Sequence, residues 1–246
     1  MKFERIVIFG ATSAIAQATA RRLTAPGVRL HLVARDPRKL EAVVADLTAR
    51  GATVTSAVAD LDVVERHSSL IDEAALAMGD IDAALIAHGT LGVQAESEAD
   101  FAVTQREWRT NFISPASLAA LLANRMETAR QGTIVAISSV AGDRGRRSNY
   151  VYGTAKGALS IFLEGLRARL HGTGVAVITI KPGFVDTPMT ASFRKGALWA
   201  SPDRIARGIV SAMQRGSGEV YLPAFWWAIM FVIRHLPQAI FVRLKI

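Results

Sequence analysis

Short apolar runs alternate with longer amphipathic stretches along almost the whole chain. Arg5 to Phe9, Val28 to Ala34, Thr53 to Ala59, Ala83 to Ala87, Thr133 to Ile137, Val175 to Ile180 and Val220 to Leu222 each read as a strand. Most of these runs are too apolar to have a wet face, which is the pattern of a parallel sheet covered by helices on both sides. Between them lie helical spacings. The first runs from Ala14 to Leu23 and is stopped by Pro26-Gly27. Asp36-Pro37 supplies an N-cap and an N1 proline for a helix reaching Arg50, closed by Gly51. Further helices are expected over Val63 to Ala77, Thr104 to Arg125, Tyr150 to Leu170, and from Ser201-Pro202 to Gly216. Regular alternation of strand and helix predicts an α/β fold, a doubly wound parallel sheet of Rossmann type with right-handed crossovers. No linker or repeat interrupts residues 1–222, so a single domain is expected there, followed by an apolar C-terminal helical tail over 223–246.

The tail changes the picture most. Residues 223–233 are apolar on every side and are followed by Arg234-His-Leu-Pro237. A bilayer span needs about 20 apolar residues, so this run is too short to cross. Tryptophans at one end and basic residues at the other fit an interfacial segment lying on a membrane. The rival reading is a helix packed in a homo-oligomer interface or over a substrate pocket. The net charge of +8 is spread over several helices and loops, without the clustered Lys/Arg and interleaved aromatics of a nucleic-acid binder. An anionic cofactor and an anionic membrane surface account for it more simply. The chain has no cysteine, which excludes disulfides and thiol-ligated metal. The N-terminus enters a strand without an apolar h-region, so no signal peptide is read. The expected location is cytoplasmic, with peripheral contact to the inner membrane through the tail.

Candidate chemistry sits at strand ends. Gly10-Ala-Thr12-Ser13-Ala14-Ile15-Ala16 follows the first strand and opens the first helix, where a phosphate loop belongs. Only Gly10 is a glycine; Thr12 and Ser13 offer hydroxyls and amides, and Ala14 and Ala16 stand at the two later glycine positions. An ordinary small-residue turn is the alternative. The second strand ends Ala34-Arg35-Asp36, with a cation where a ribose-binding carboxylate would stand, which argues for NADPH over NADH. A solvated loop arginine is the alternative. Tyr152 and Lys156 are four apart, so on a helix they share a face, and Ser139 lies thirteen residues before Tyr152 at the end of the fifth strand. A hydroxyl facing a phenol with an ammonium behind it suits proton transfer. Gly142 to Arg147 carries three arginines that would hang over a substrate as a flexible loop, suited to phosphate, or would simply be solvated. Thr190 to Ala200 has the place of a lid, with Phe193, Leu198 and Trp199 as its underside.

Taken in order, these residues resemble the short-chain dehydrogenase/reductase family in its compact single-domain form. The resemblance runs to about Leu222 and includes Asp60-Leu61-Asp62, Asn111 and Lys181-Pro-Gly-Phe-Val-Asp-Thr187. It implies an NADPH-dependent reduction of a carbonyl to an alcohol, with no metal. Tyr152 would be the general acid, Ser139 would orient the carbonyl oxygen, Lys156 would hold the ribose and, with the positive nicotinamide of the oxidised complex, stabilise the phenolate, and Asn111 would keep a water relay. Asp60 and Leu61 would meet adenine, Gly89 the turn after strand four, and Pro182, Gly183 and Thr187 the nicotinamide carboxamide. Two departures stand out: the thinned glycine turn, and Ile86-Ala-His88-Gly89 where the family carries Asn-Asn-Ala-Gly. His88 either lines the site or fills the turn. The tail, the first turn and the arginine loop are similar to the branch containing polyprenylphosphoryl-2-ketoribose reductases, which implies a lipid-linked carbonyl substrate, with a small-molecule carbonyl as the alternative. The alternatives are a catalytically idle NADP(H)-binding sensor and a membrane accessory subunit.

Overall fold

The structure, a computed structural model, describes residues 3–216 and 218–244. Lys245 and Ile246 of the expected tail, and Met1, Lys2 and Ser217 before it, lie outside the described residues. Seven strands form one sheet: β1 (Arg5–Phe9), β2 (Arg29–Ala34), β3 (Thr53–Val58), β4 (Ala83–Ile86), β5 (Gly132–Ile137), β6 (Val175–Pro182) and β7 (Glu219–Leu222). Their order is β3-β2-β1-β4-β5-β6-β7, and every pairing is parallel. Residue alternation along β1 divides the core. Ile6 and Ile8 pack with α1 (Ala14–Leu23), α2 (Pro37–Ala49) and α8 (Pro202–Arg215). Val7 and Phe9 pack with α3 (His67–Met78), α6 (Ser114–Ala129) and α7 (Tyr150–Arg169) on the other face. The chain winds outward from β1 in one direction and from β4 in the other. That reversal opens a crevice at the carboxyl ends of the strands, where ligands of such sheets bind.

The long helix expected over Thr104 to Arg125 takes a different form. Two short helices come first, α4 (Gln94–Ala99) and α5 (Phe101–Trp108), the latter capped by the Asp100 carboxylate on the Ala102 N–H. Residues Arg109–Ile113 then form a wide π turn, in which the Ser114 N–H bonds to the Arg109 carbonyl, before α6 begins. Pro115 is the cause. It has no N–H, and its ring crowds the carbonyl four residues back, which is that of Asn111. Asn111 therefore has no regular helical donor for its carbonyl.

The tail folds as α9 (Phe225–His235) and α10 (Gln238–Phe241). Trp226 and Met230 are buried against Val140 and Tyr221. Trp227, Phe231, Val232, Ile240 and Val242 remain exposed, so the tail has one packed face and one bare apolar face. No described helix is long and apolar enough to cross a membrane.

Two histidines, His31 and His67, are buried in the core, and a third, His88, is half-buried beside it. His31 bonds Thr55, His67 bonds the Leu61 carbonyl and Ser117, and His88 bonds Ser114. Burial lowers the pKa of each, His88 to about 3. Folded values below the unfolded 6.5 mean that stability is intact above pH 6.5 and is lost as pH falls through it, when the unfolded chain takes up protons. The slope is up to about 1.4 kcal/mol per pH unit per histidine. Urea unfolding at pH 7.5, 6.0 and 5.0 should therefore show a falling midpoint across that range, above the pH where carboxylates titrate. A midpoint unchanged between pH 7.5 and 5.0 would contradict it.

Candidate active site

One cavity of about 540 Å³ opens at the carboxyl ends of the strands, and every residue singled out above for catalysis or cofactor contact lines it. The turn after β1 contributes Gly10, Thr12, Ser13, Ala14 and Ile15. Arg35 and Lys39 come from the end of β2 and the start of α2, Asp60 and Leu61 from the end of β3, and Gly89 from the end of β4. Asn111 comes from the π turn, Ser139 from the end of β5, Tyr152 and Lys156 from α7, and Pro182, Gly183 and Thr187 from the end of β6.

The turn after β1 fits an anion. Ser13 caps α1 without a side-chain bond, and no acidic residue stands in the first turn of that helix. Its first backbone N–H groups are thus left for a ligand. Gly10 has φ +79°, and a Cβ added there would come within 2.5 Å of the His88 nitrogen. The missing later glycines are absorbed differently: Ala16 is fully buried in the core beneath the sheet, while Ala14 faces the cavity. Asp36 spends its carboxylate on the Lys39 N–H as a cap, so Arg35 stands without an ion pair among the described residues.

Ser139, Tyr152 and Lys156 are brought together by a tight seam. The turn Val140–Asp143 lies on α7 so closely that a Cβ at Gly142 would sit 2.6 Å from the Gly157 nitrogen, and one at Gly153 would sit 2.9 Å from the Ala141 carbonyl oxygen. The Ser139 Oγ accepts from the Ala141 N–H at 3.1 Å. Lys156 donates to the Ile137 carbonyl at 3.1 Å and lies 5.7 Å from the centroid of the Tyr152 ring. Burial pushes Tyr152 up to about 12, opposed by its hydrogen bond to Ser139 and reinforced by the charge of Glu107. Burial also brings Lys156 down to about 8, against the pull of Glu107. The expected stabilisation of the phenolate by Lys156 belongs to the complex with the positively charged nicotinamide; in the protein alone burial dominates and keeps the phenol neutral at pH 7.

Glu107 escaped the sequence reading. Its carboxylate accepts from the Thr90 hydroxyl at 3.0 Å, the Gly92 N–H at 3.2 Å and the Asn111 amide at 3.2 Å. The Asn111 side chain is thereby committed to structure, while Pro115 removes the regular donor four residues on from its backbone carbonyl. Spacing was the available signal, since Glu107 lies one helical turn before Asn111. His88 both lines the cavity and fills the turn. Ser114 donates its proton to the Leu61 carbonyl, so the His88 Nε2 must be the donor in the bond to Ser114, and Nδ1 is a buried acceptor without a partner.

The arginine loop is pinned rather than flexible. Lys181 bonds Asp143 at 2.7 Å and Glu219 at 2.8 Å, while the Tyr221 hydroxyl donates to the second Asp143 oxygen at 2.7 Å. Arg144 turns away to the tail, where it donates to the Ile233 and Leu236 carbonyls and lies 3.8 Å over the Phe241 ring. Arg147 is exposed. Only Arg146 of the three lines the cavity. In the lid segment, Thr187 and Thr190 cap the turn Pro188–Thr190, and Phe193 lines the cavity. Trp199 stacks on Phe184 instead, 5.4 Å between centroids, and Leu198 is exposed.

Comparison with known proteins agrees with this geometry. Residues 4–197 match the family model described as short chain dehydrogenase. An uncharacterized oxidoreductase of Mycobacterium tuberculosis is 40% identical over 243 residues, covering 97% of this chain and 96% of that one. One from Streptomyces coelicolor is 36% identical over 242 residues, covering 98% and 96%. The solved structure of a short-chain type dehydrogenase/reductase from Mycobacterium ulcerans superposes with a TM-score of 0.78 at 21% identity, over 90% of this chain and 89% of that one, and so shares its fold.

Proposed function

This chain belongs to the short-chain dehydrogenase/reductase family, an NAD(P)H-dependent class of enzyme, and from that premise we propose that it uses NADPH to reduce a carbonyl to an alcohol. The observation that carries the reading is the single cavity shared by an uncapped helix start, a free arginine at the end of β2, and the Ser139–Tyr152–Lys156 group. The first-turn amides of α1, with Thr12 and Ser13, would hold the diphosphate. Arg35 with Lys39 would hold a 2′-phosphate, and Asp60 with Leu61 the adenine. Lys156 would hold the ribose of the nicotinamide, with Gly89 beside it, and Pro182, Gly183 and Thr187 the carboxamide. When bound, the dihydronicotinamide supplies a hydride for the carbonyl carbon.

The rest of the chemistry belongs to the chain. Ser139 orients the carbonyl oxygen by a hydrogen bond. Tyr152, neutral at pH 7, donates its proton to that oxygen, and the charge on Lys156 stabilises the phenolate left behind. The Asn111 carbonyl, lacking its helical donor, holds water through which Tyr152 is reprotonated. A catalytically idle sensor has no use for this arrangement of buried groups.

The substrate we propose is a keto-sugar linked to a lipid phosphate, met at the cytoplasmic face of the membrane. Support comes from the bare face of the tail and from Phe184, which lines the cavity and meets Trp226 of the tail edge-on at 5.5 Å. The exposed apolar side chains lie close in sequence to exposed Arg234 and Arg243, a composition suited to an anionic interface.

With a carbonyl probe, wild-type protein should oxidise NADPH with a kcat/KM about tenfold above that for NADH, and Arg35→Ala should erase the preference. Tyr152→Phe should lose about a hundredfold or more in turnover while binding NADPH as tightly as wild type. Comparable turnover in the Tyr152 variant sinks the acid assignment. In co-sedimentation with phosphatidylglycerol vesicles, full-length protein should pellet, and the double variant Trp227→Glu/Phe231→Glu should stay in solution. Wild type left in the supernatant ends the membrane reading.

A further inference from the structure

Arg146 is the one arginine of its loop that lines the cavity, and among the described residues its guanidinium has no carboxylate in contact. Its Nε is sealed from solvent and has no hydrogen-bond partner, and one terminal nitrogen donates to the Met230 sulfur at 3.5 Å. A thioether is a weak acceptor. The nearest acid in sequence, Asp143, has both oxygens taken, by Lys181 and Tyr221. Among the described residues Arg146 forms no ion pair, whereas most buried charges are matched. Half-burying a guanidinium with only the more distant Asp143 charge to offset the loss of water costs stability, and such a cost is kept where a ligand supplies the anion.

Asn149 adds the complementary half. It too lines the cavity, and its Oδ1 is buried without a donor. The Asn149 N–H donates to the Arg146 carbonyl at 3.1 Å, so one tight turn carries both side chains just before α7 and Tyr152. One residue lacks an acceptor and the other lacks a donor. An anionic group next to a hydroxyl satisfies both.

We infer that Arg146 and Asn149 form an anion subsite that binds a phosphate or carboxylate carried by the substrate, with a neighbouring hydroxyl donating to Asn149. This deepens the proposed reductase function and rests on it only for the position of the carbonyl beside Tyr152. Arg144 has no part in the subsite, because it is spent on the tail, and Arg147 serves as the exposed control.

The test has two arms. In the first, NADPH-dependent reduction of dihydroxyacetone phosphate, hydroxypyruvate and dihydroxyacetone is compared. Wild type should prefer one of the two anionic probes to the neutral one by about tenfold or more in kcat/KM, and which one is preferred separates phosphate from carboxylate. Arg146→Met should bring that ratio to about one, chiefly through KM, and Arg147→Met should leave it as in wild type. The second arm needs no turnover. Protein saturated with NADP+, so that the cofactor's phosphate site is filled, is titrated calorimetrically with glycerol 1-phosphate, glycolate and geranyl phosphate. At least one should bind, with an affinity that falls about tenfold in Arg146→Met and not in Arg147→Met. Preference for geranyl phosphate assigns a lipid-linked anion, and preference for either of the others a free one. If none of the probes is reduced but binding depends on Arg146, the reductase reading fails and the subsite stands. If no probe shows Arg146-dependent affinity, the subsite is wrong.

Discussion

The contact between the Val140–Asp143 turn and the start of α7 is the constraint on which the site depends. Glycines at 142, 153 and 157 let two backbones meet where a single methyl would clash with main-chain atoms rather than with a movable side chain. That approach sets the distance between Ser139, on the turn, and Tyr152, on the helix. The buried Lys181–Asp143–Tyr221 group holds the same turn from the side of β6 and β7. Breaking such a pair by removing one partner leaves an uncompensated charge and costs about 3–5 kcal/mol, so the turn is fixed from two directions. Arg144 extends the fixation to the tail, and Arg146 is left facing the cavity.

Electrostatics in the cavity follow from burial more than from pairing. Desolvation raises Tyr152 and lowers Lys156, so burial pushes each toward its neutral form. A neutral phenol beside a mostly charged ammonium is the arrangement a proton donor needs at pH 7. It has a stability cost. Holding Lys156 at about 8 instead of 10.5 removes about 3 kcal/mol of folding stability at neutral pH, recovered only as pH rises between those values. Glu107 limits that cost by its charge while anchoring Asn111 and Thr90. Buried charge concentrated in one crevice is what a fold tolerates for function.

The sheet was legible because most of the seven runs are apolar on both faces, the edge strand β3 being the wet exception, and the phosphate turn and the Tyr152–Lys156 pair declared themselves by spacing. The π turn was readable in principle from Pro115, but apolar periodicity alone carries a helix straight through it. The fates of the three arginines were not readable. Arg144, Arg146 and Arg147 are chemically identical in sequence and are separated only by what the tail, the Asp143 cluster and solvent offer each of them. Likewise an all-apolar tail does not announce which face packs: Trp226 is buried and its neighbour Trp227 is exposed.

The central claim is that this cavity transfers a hydride to a carbonyl carbon and a proton to its oxygen. Its most direct test is isotopic. Protein incubated with NADPH carrying deuterium at both C4 positions and a carbonyl probe in ordinary water should yield an alcohol with one deuterium on the carbinol carbon and none lost to solvent, as read by mass spectrometry. Binding of the labelled cofactor with no deuterium appearing in any alcohol product would contradict the account and leave a nucleotide-binding protein without the chemistry assigned to it.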